Sequence, residues 1–229
     1  MDSPASVTAA FGSLTPNIAA KAPRWVRRKE DRPAELLAAA LDLFVEKGFA
    51  ATRLDDVAAR AGVSKGTLYL YFKNKEDLFK AVVRDSIVPL IEAFEQQLES
   101  TDLLSDALVT LYFRKFWADF CDTKLSGICK LMVAEAGNFP DLALFFHTEV
   151  IERNNAILAA IVQRGIKKGD YHAANLDVSV NLWMAALVME AIWRHSLMPC
   201  LPNTPLVSEQ IIETHINFVL ASLKHAAPL

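Results

Sequence analysis

Residues 52–79 read TRLDDVAARAGVSKGTLYLYFKNKEDLF, and this stretch decides the fold of the N-terminal part of the chain. Its apolar residues recur three and four positions apart, which is the spacing of one face of a helix. Thr52 and Asp55 form a short capping-box pattern that predicts the start of a helix at Thr52. Gly62 predicts the end of that helix, because glycine readily takes the left-handed conformation that follows a helix.

A second short helix is predicted directly after the first. Ser64 is a good N-cap for a helix that runs through Phe72, and only Val63 and Ser64 separate this helix from Gly62. Two short helices with a tight glycine turn are typical of a helix-turn-helix, which we predict over residues 52–72. The inward residues of this unit are apolar and helically spaced; they are Leu54, Val57, Ala58, Ala61, Leu68 and Phe72.

One further helix is predicted on each side of this unit. The preceding helix begins near Pro33, a favourable first-turn residue, and ends at Gly48. The following helix has Asn74 as its cap and runs from Lys75 to about Gln97. Pro89 falls in the middle of this fourth helix, where a bend is expected.

The stretch resembles the DNA-binding signature of the TetR/AcrR family of bacterial transcriptional regulators, and the likeness extends over about residues 33–81. It implies an all-α protein of about nine helices. An N-terminal three-helix helix-turn-helix DNA-binding domain is followed by a helical ligand-binding and dimerisation domain. The corresponding division is a flexible extension at residues 1–22, the DNA-binding domain at 23–80 and the body at 81–229.

The resemblance also implies which residues contact DNA. Phosphate contacts are expected from Thr52, Ser64, Tyr71 and Lys75, base-edge contacts from Lys65, Thr67 and Tyr69, and a backbone contact from Gly66. Leu70 departs from the family, which often has a polar or aromatic residue there. A contact from Leu70 is therefore not carried over, and packing is the simpler expectation for it.

A basic run precedes the first helix, and its members are Lys21, Arg24, Arg27, Arg28, Lys29 and Arg32. Residues 21–80 carry thirteen basic and nine acidic side chains, whereas residues 81–229 carry eleven and seventeen. The run is expected to follow the DNA backbone or to enter the minor groove. The alternative is a flexible linker whose Trp25 packs on the first helix.

The body breaks into helical segments at about residues 103–122, 124–135, 141–168, 176–197 and 206–224, and it is rich in aromatic and methionine residues. The candidate lining of an apolar ligand pocket is Phe113, Phe116, Trp117, Phe120, Met132, Phe146, His147 and Trp183. Aromatic residues at helical spacing are more often plain core, so the residues alone leave both interpretations open. A pocket is favoured only because the family resemblance implies one.

The last two long helices carry apolar or small residues on more than one face, which indicates a helical partner. In the resembled family these helices form a four-helix bundle with their copies. The resemblance therefore implies a homodimer that presents two recognition helices to one face of a palindromic DNA site.

Other classes of protein find little support in the sequence. No nucleophile with a base, paired carboxylates or metal-ligand spacing is present, so we expect no enzyme, cofactor or metal. Three cysteines form no disulfide or zinc pattern. The first twenty residues do not have the pattern of a signal peptide, and no apolar run has the length of a membrane span, so a cytoplasmic protein that does not bind a membrane is expected.

These observations together predict a DNA-binding transcriptional regulator. The favoured form is a repressor that binds a palindromic operator as a dimer and is released by a small apolar or amphipathic ligand, with the fourth helix coupling the two sites. The alternatives are an activator and a regulator controlled by a protein partner, because both would keep the same DNA-binding head.

Overall fold

The computed structural model describes residues 32–172, 175–201 and 208–224. Within these ranges the regular elements are all helical, in agreement with the expected all-α class. The expectations for the flexible extension and for the basic run up to residue 31 lie outside the described residues.

The first three helices are α1 (Arg32–Lys47), α2 (Leu54–Arg60) and α3 (Lys65–Tyr71). Gly48 and Gly62 take φ values of 82° and 67°, in the left-handed region, and so end α1 and α2 as predicted. The inward set of the helix-turn-helix is confirmed: Val57, Ala58, Ala61, Leu68 and Phe72 are buried, and Leu54 packs against the same core.

The fourth helix departs from the expectation because it is divided. It consists of α4 (Lys75–Ser86) and α5 (Val88–Ser100), separated by Ile87. Pro89 lies in the first turn of α5 and not inside a continuous helix. Proline has no N–H to donate and its ring clashes with the carbonyl four residues back, so the chain breaks just before it and a new helix begins.

The described residues of the body form six further α-helices. They are α6 (Ser105–Phe116), α7 (Gly127–Glu135), α8 (Pro140–Phe146), α9 (Arg153–Lys168), α10 (Leu176–Ser196) and α11 (Ser208–Lys224). The π-helical stretch His147–Glu152 joins α8 and α9 into one rod, and only Ile87 interrupts α4 and α5. With these two pairs each taken as one unit, the described residues form nine helical rods, as the family pattern implies.

The helices of the body pack around α6 and α10. Helix α10 contacts α7 and α9, while α6 contacts α9 and α11. Tyr112, Phe113 and Leu108 of α6 and Leu187 of α10 are almost completely buried. The burial of each such apolar side chain stabilises the body by about 1.5–3 kcal/mol.

One stretch of the described chain, Leu176–Cys200, is long and apolar enough to cross a membrane, with a mean hydropathy of 1.4. The core helix of a globular protein passes the same test. Here Trp183, Met184 and Leu187 are buried against the body, and Glu190 and Arg194 interrupt the apolar character. These features are typical of a helix that packs on protein.

Candidate nucleic-acid interface and apolar cavity

Helix α3 separates its residues into one buried and one exposed face. Leu68 is completely buried, while Lys65, Gly66, Tyr69 and Tyr71 are exposed. Ser64 holds the start of the helix in place, as its hydroxyl accepts a hydrogen bond of 3.1 Å from the amide of Thr67. The predicted cap is therefore confirmed, and the exposed face contains the residues expected to reach DNA.

Lys65 forms an ion pair with Asp55 of α2, and their side-chain atoms are 2.9 Å apart. Both side chains are more than half exposed, so the pair contributes little to folding stability. The hydrogen bond to Asp55 raises the pKa of Lys65, which keeps the ammonium group protonated. Lys65 can therefore leave Asp55 at little cost and turn to a phosphate or a base edge.

Thr52 is not placed as the sequence predicted. Arg53 is the N-cap of α2, and no side chain caps this helix. Thr52 is 1% exposed, and its hydroxyl lies 3.1 Å from the carbonyl oxygen of Leu43 and 2.7 Å from that of Gly48. The expected phosphate contact is corrected accordingly, because this hydroxyl is buried and already donates to the end of α1.

Lys75 also differs from the expectation of a phosphate contact. Its ammonium group donates to the carbonyl oxygens of Phe49, Ala50 and Thr52 at 2.5, 2.9 and 3.0 Å, and lies 4.5 Å from the centre of the Phe49 ring. Burial lowers the pKa of Lys75, against the effect of the Glu135 carboxylate. All three donors are used within the protein, so Lys75 fastens the loop between α1 and α2.

We expect the substitution Lys75→Met to destabilise the N-terminal helical unit by about 2 kcal/mol or more, because three carbonyl oxygens lose a charged donor. Thermal unfolding measures this change. The control is Lys73→Met, since Lys73 is exposed two residues away. An unchanged unfolding midpoint for Lys75→Met, together with weaker DNA binding, would contradict the structural role and restore the phosphate contact.

Two further exposed residues of the helix-turn-helix were given no DNA contact from the sequence. Arg53 is exposed at the start of α2, and Leu70 is 81% exposed on α3. The predicted packing of Leu70 is wrong. A helical projection of α3 would have revealed Leu70, since it follows the buried Leu68 by two residues and so lies on the opposite side.

The body contains an apolar cavity of about 500 Å³. Five of the eight residues expected to line a pocket do line it, namely Phe116, Phe120, Met132, Phe146 and His147. Ile87, Ile91 and Phe94, from the region of α5, add apolar wall that the sequence did not assign. A cavity of this volume is within the range of small-molecule sites.

Three of the expected lining residues lie elsewhere. Phe113 is fully buried and packs edge-on against His215, with 4.9 Å between ring centres. Trp117 lies under the guanidinium of Arg194 at 5.4 Å. Trp183 is 5% exposed in the core. Helical periodicity identified these residues as inward but could not tell which side of a helix faces a cavity and which faces another helix.

The few polar groups at the cavity are already paired. Asn155 donates to Asn181 at 3.0 Å, and Lys115 forms an ion pair with Asp119 at 3.0 Å. Among the residues that the structure describes, no cluster of three His, Cys, Asp or Glu side chains is placed to hold a metal ion. The cavity therefore offers mainly apolar contact, with a few polar groups among its lining residues.

Helix α7 contacts both the cavity and the N-terminal helices. Cys129 and Met132 line the cavity. At the end of the helix, the carboxylate of Glu135 accepts a hydrogen bond of 2.9 Å from the amide of Ala50, in the loop after α1. At its start, Gly127 lies so close to Val45 of α1 that an added Cβ would be 2.5 Å from a methyl carbon.

A second apolar surface lies on the outer face of α10. Val178, Leu182, Met189 and Trp193 are 52%, 66%, 61% and 41% exposed, and their spacing places them along one side of the helix. Phe218 of α11 is 66% exposed as well. The opposite side of α10 is buried in the body, so this helix is apolar on two sides.

The sequence is similar to known bacterial regulators. Residues 36–82 match the family of bacterial regulatory proteins named after TetR. The transcriptional repressor KstR2 of Mycolicibacterium smegmatis is 27% identical over 88% of this chain and 95% of its own length. The transcriptional activator FasR of the same organism is 38% identical over 32% of this chain and 33% of its own length.

Solved structures share the fold. The regulator FadR of Bacillus subtilis, in complex with stearoyl-CoA, superposes with a TM-score of 0.65 at 20% identity, over 85% of this chain and 99% of its own. Taken with the helix-turn-helix and the arrangement of the body, the match of residues 36–82 identifies this part of the chain as a DNA-binding domain of the TetR family, and the relatives support a TetR-family transcriptional regulator.

Proposed function

We propose that this protein is a cytoplasmic repressor that binds a palindromic operator as a homodimer and is released by a small amphipathic ligand with a long apolar chain. The observation that carries the proposal is the double position of α7, which lines the apolar cavity with one side and contacts α1 and its following loop with the other. The repressor KstR2, which matches most of this chain, supports repression as the effect of DNA binding.

The DNA-binding half of the proposal uses the exposed face of α3 and the residues beside it. Lys65, Thr67 and Tyr69 are proposed to contact base edges in the major groove, and Gly66 allows the backbone to approach closely. Ser64 and Tyr71 are proposed to contact phosphates, which position the helix without reading sequence. Thr52 and Lys75 are left out because their polar groups are used inside the protein.

The dimer in this proposal forms through α10 and α11. The exposed apolar stripe on α10 continues for about four turns, and Phe218 of α11 adds a large apolar ring. A second copy related by a two-fold axis covers the same stripe with its own, which an isologous interface requires. The two α3 helices of such a dimer match the two halves of a palindrome.

The ligand in this proposal has a flexible apolar chain. The wall of the cavity is formed largely by aromatic and aliphatic side chains, with Asn155, Asn181 and Lys115 among its polar groups. A fatty acyl chain provides the apolar surface that such a wall can cover, and its head group can contact the polar side chains of the lining. The acyl-CoA in the structure of the FadR relative supports this class.

Coupling follows from an equilibrium between two arrangements of the dimer. A ligand that binds better when α7 is displaced shifts the population toward that arrangement and pulls α1 and its loop with it. The differential affinity sets the effect, typically about 5- to 150-fold. DNA must weaken ligand binding by the same factor, and calorimetry with and without DNA measures this reciprocity.

Activation is the second candidate. The activator FasR shares 38% identity with this chain over 73 residues, so activation by a protein with a related segment supports this alternative. A transcription assay with purified RNA polymerase and the operator separates them, because a repressor lowers and an activator raises the transcript level.

Filling the cavity tests the ligand half of the proposal. Ala143 is partly buried and lines the cavity, so Ala143→Trp is expected to occupy the space of the ligand. The variant should bind operator as tightly as the wild type and should resist release by stearate or stearoyl-CoA by about tenfold or more in concentration. Fluorescence anisotropy of a labelled operator measures both quantities.

The matched control is Leu144→Trp, one residue further along α8, where the side chain is 66% exposed and does not line the cavity. This variant should respond to the acyl ligands like the wild type. Equal release of Ala143→Trp and wild type would contradict the cavity as the ligand site. If no acyl ligand releases the wild-type protein from the operator, the proposed ligand class is wrong. The proposed DNA binding does not depend on that result.

A further inference from the structure

Leu70 has the largest exposed fraction among the large apolar side chains of the described residues. It is 81% exposed, followed by Leu104 at 77% and Val133 at 68%. It belongs to α3, whose buried side is anchored by Leu68. The full burial of a leucine side chain is worth about 1.5–3 kcal/mol, so a partner that covers Leu70 gains a substantial apolar contribution.

The position of Leu70 is at the centre of the face that points away from the protein. Successive residues of a helix are about 100° apart, so Leu70 and Gly66 both lie within roughly 20° of the direction opposite to Leu68. Tyr69 flanks this line on one side and Thr67 on the other. Leu70 therefore projects from the middle of the surface that the proposed function assigns to the major groove.

The chemistry of the side chain decides what it can recognise there. An isobutyl group forms no hydrogen bond and gains nothing from a phosphate. The apolar group that a base pair presents in the major groove is the 5-methyl group of thymine. Gly66, one turn earlier on the same line, has no side chain to hold the helix away from the base edges.

We propose that Leu70 is a specificity-determining residue that recognises the 5-methyl group of a thymine in each half of the operator. The inference rests on the proposed DNA binding, which it deepens by naming a base and the group on it that is read. Replacement of Leu70 removes the contact with one thymine in each half-site and so weakens operator binding. The hydrogen-bonding residues Lys65 and Tyr69 remain in place.

The experiment removes the methyl group from the DNA and its partner from the protein. The operator is first obtained by selection of bound fragments from random DNA. Each thymine of a half-site, with its symmetric mate, is then replaced by deoxyuridine, which lacks only the methyl group. The affinities of wild type and Leu70→Ala are measured for every substituted duplex by fluorescence anisotropy.

At one symmetric pair, deoxyuridine should weaken the wild type by about fourfold per half-site, or roughly fifteenfold for both, which corresponds to one buried methyl group each. Leu70→Ala should bind the unsubstituted operator more weakly and should be insensitive to the substitution at that pair. Leu70→Met, which retains an apolar side chain of similar size, should recover part of the sensitivity.

Leu104→Ala is the matched control, since it removes an equally exposed leucine outside α3 and should leave operator affinity unchanged. Leu70→Ala should unfold at the same temperature as the wild type, because the side chain supports no packing. If wild type and Leu70→Ala show the same deoxyuridine profile at every position, the inference is overturned while DNA binding stands. If no DNA sequence is selected, the proposed function itself fails.

Discussion

A variant with Leu182→Glu and Met189→Glu is expected to be monomeric at micromolar concentration and to bind operator on the order of a thousandfold more weakly than the wild type. Both side chains are more than 60% exposed in the single chain and lie on the outer face of α10. In a two-fold interface each glutamate would be buried against apolar side chains, and an unpaired buried charge is strongly unfavourable. A monomer reaches only one half-site, so it loses the gain from simultaneous binding.

Light scattering on a size-exclusion column measures the mass of the variant, and anisotropy measures its operator affinity. The control carries Leu104→Glu and Leu144→Glu, which add the same charge at exposed leucines outside α10 and α11. This control should remain dimeric and bind operator. A dimer of the first variant with normal affinity would show that the interface lies elsewhere.

The substitution Gly127→Ala is expected to lower operator affinity by about tenfold or more in the absence of ligand. The added Cβ would lie 2.5 and 2.9 Å from the two methyl carbons of Val45 and 3.3 Å from the ring of His195. Valine has few rotamers available, so α1 and α7 must separate, at a cost of about 1–3 kcal/mol. The displacement is in the same contact that the proposed ligand disturbs.

Two further variants distinguish this effect from general destabilisation. Val45→Ala in the Gly127→Ala background removes the clashing methyl groups and should restore most of the operator affinity. Gly137→Ala adds a methyl group where nothing lies within 4 Å, and it should behave like the wild type. Wild-type operator affinity of Gly127→Ala would mean that the contact between α1 and α7 does not control the DNA-binding unit.

The sequence predicted local features of the fold well. Ser64 and Asn74 cap their helices, and Gly48 and Gly62 end theirs, because each of these effects depends on residues within one turn. The two-sided apolar character of α10 was also visible as a pattern. Pro89 predicted a bend within one continuous helix. The structure instead has a break at Ile87, after which a new helix begins.

Features that depend on distant residues were not visible. The family resemblance implied a phosphate contact for Lys75, whereas its partners are carbonyl oxygens about 25 residues earlier in the chain. Thr52 had the pattern of a cap but donates to α1. Similarly, Phe116 and Phe113 belong to the same helix, and only the packing of neighbouring helices decides that the first faces the cavity and the second the core.

The contact between α7 and the DNA-binding helices had no signal in the sequence. Gly127, Val45 and Glu135 are ordinary residues of helices or their ends, and their roles arise from the close approach of two elements that are far apart in the chain. We therefore add α7 to the fourth helix as an element of the proposed coupling. Helix α7 has the cavity on one side and Ala50 within hydrogen-bonding distance on the other, and Ile87 and Ile91 of the fourth helix line the cavity as well.

The most direct test of the central claim is selection of bound fragments from random duplex DNA, followed by the mass of the complex that forms on the selected site. We predict a palindromic sequence that binds two protomers, or a multiple of two, with an affinity that Lys65→Ala and Tyr69→Ala each reduce by about tenfold. Recovery of no preferred sequence, or of an asymmetric site occupied by a single protomer, would contradict the account.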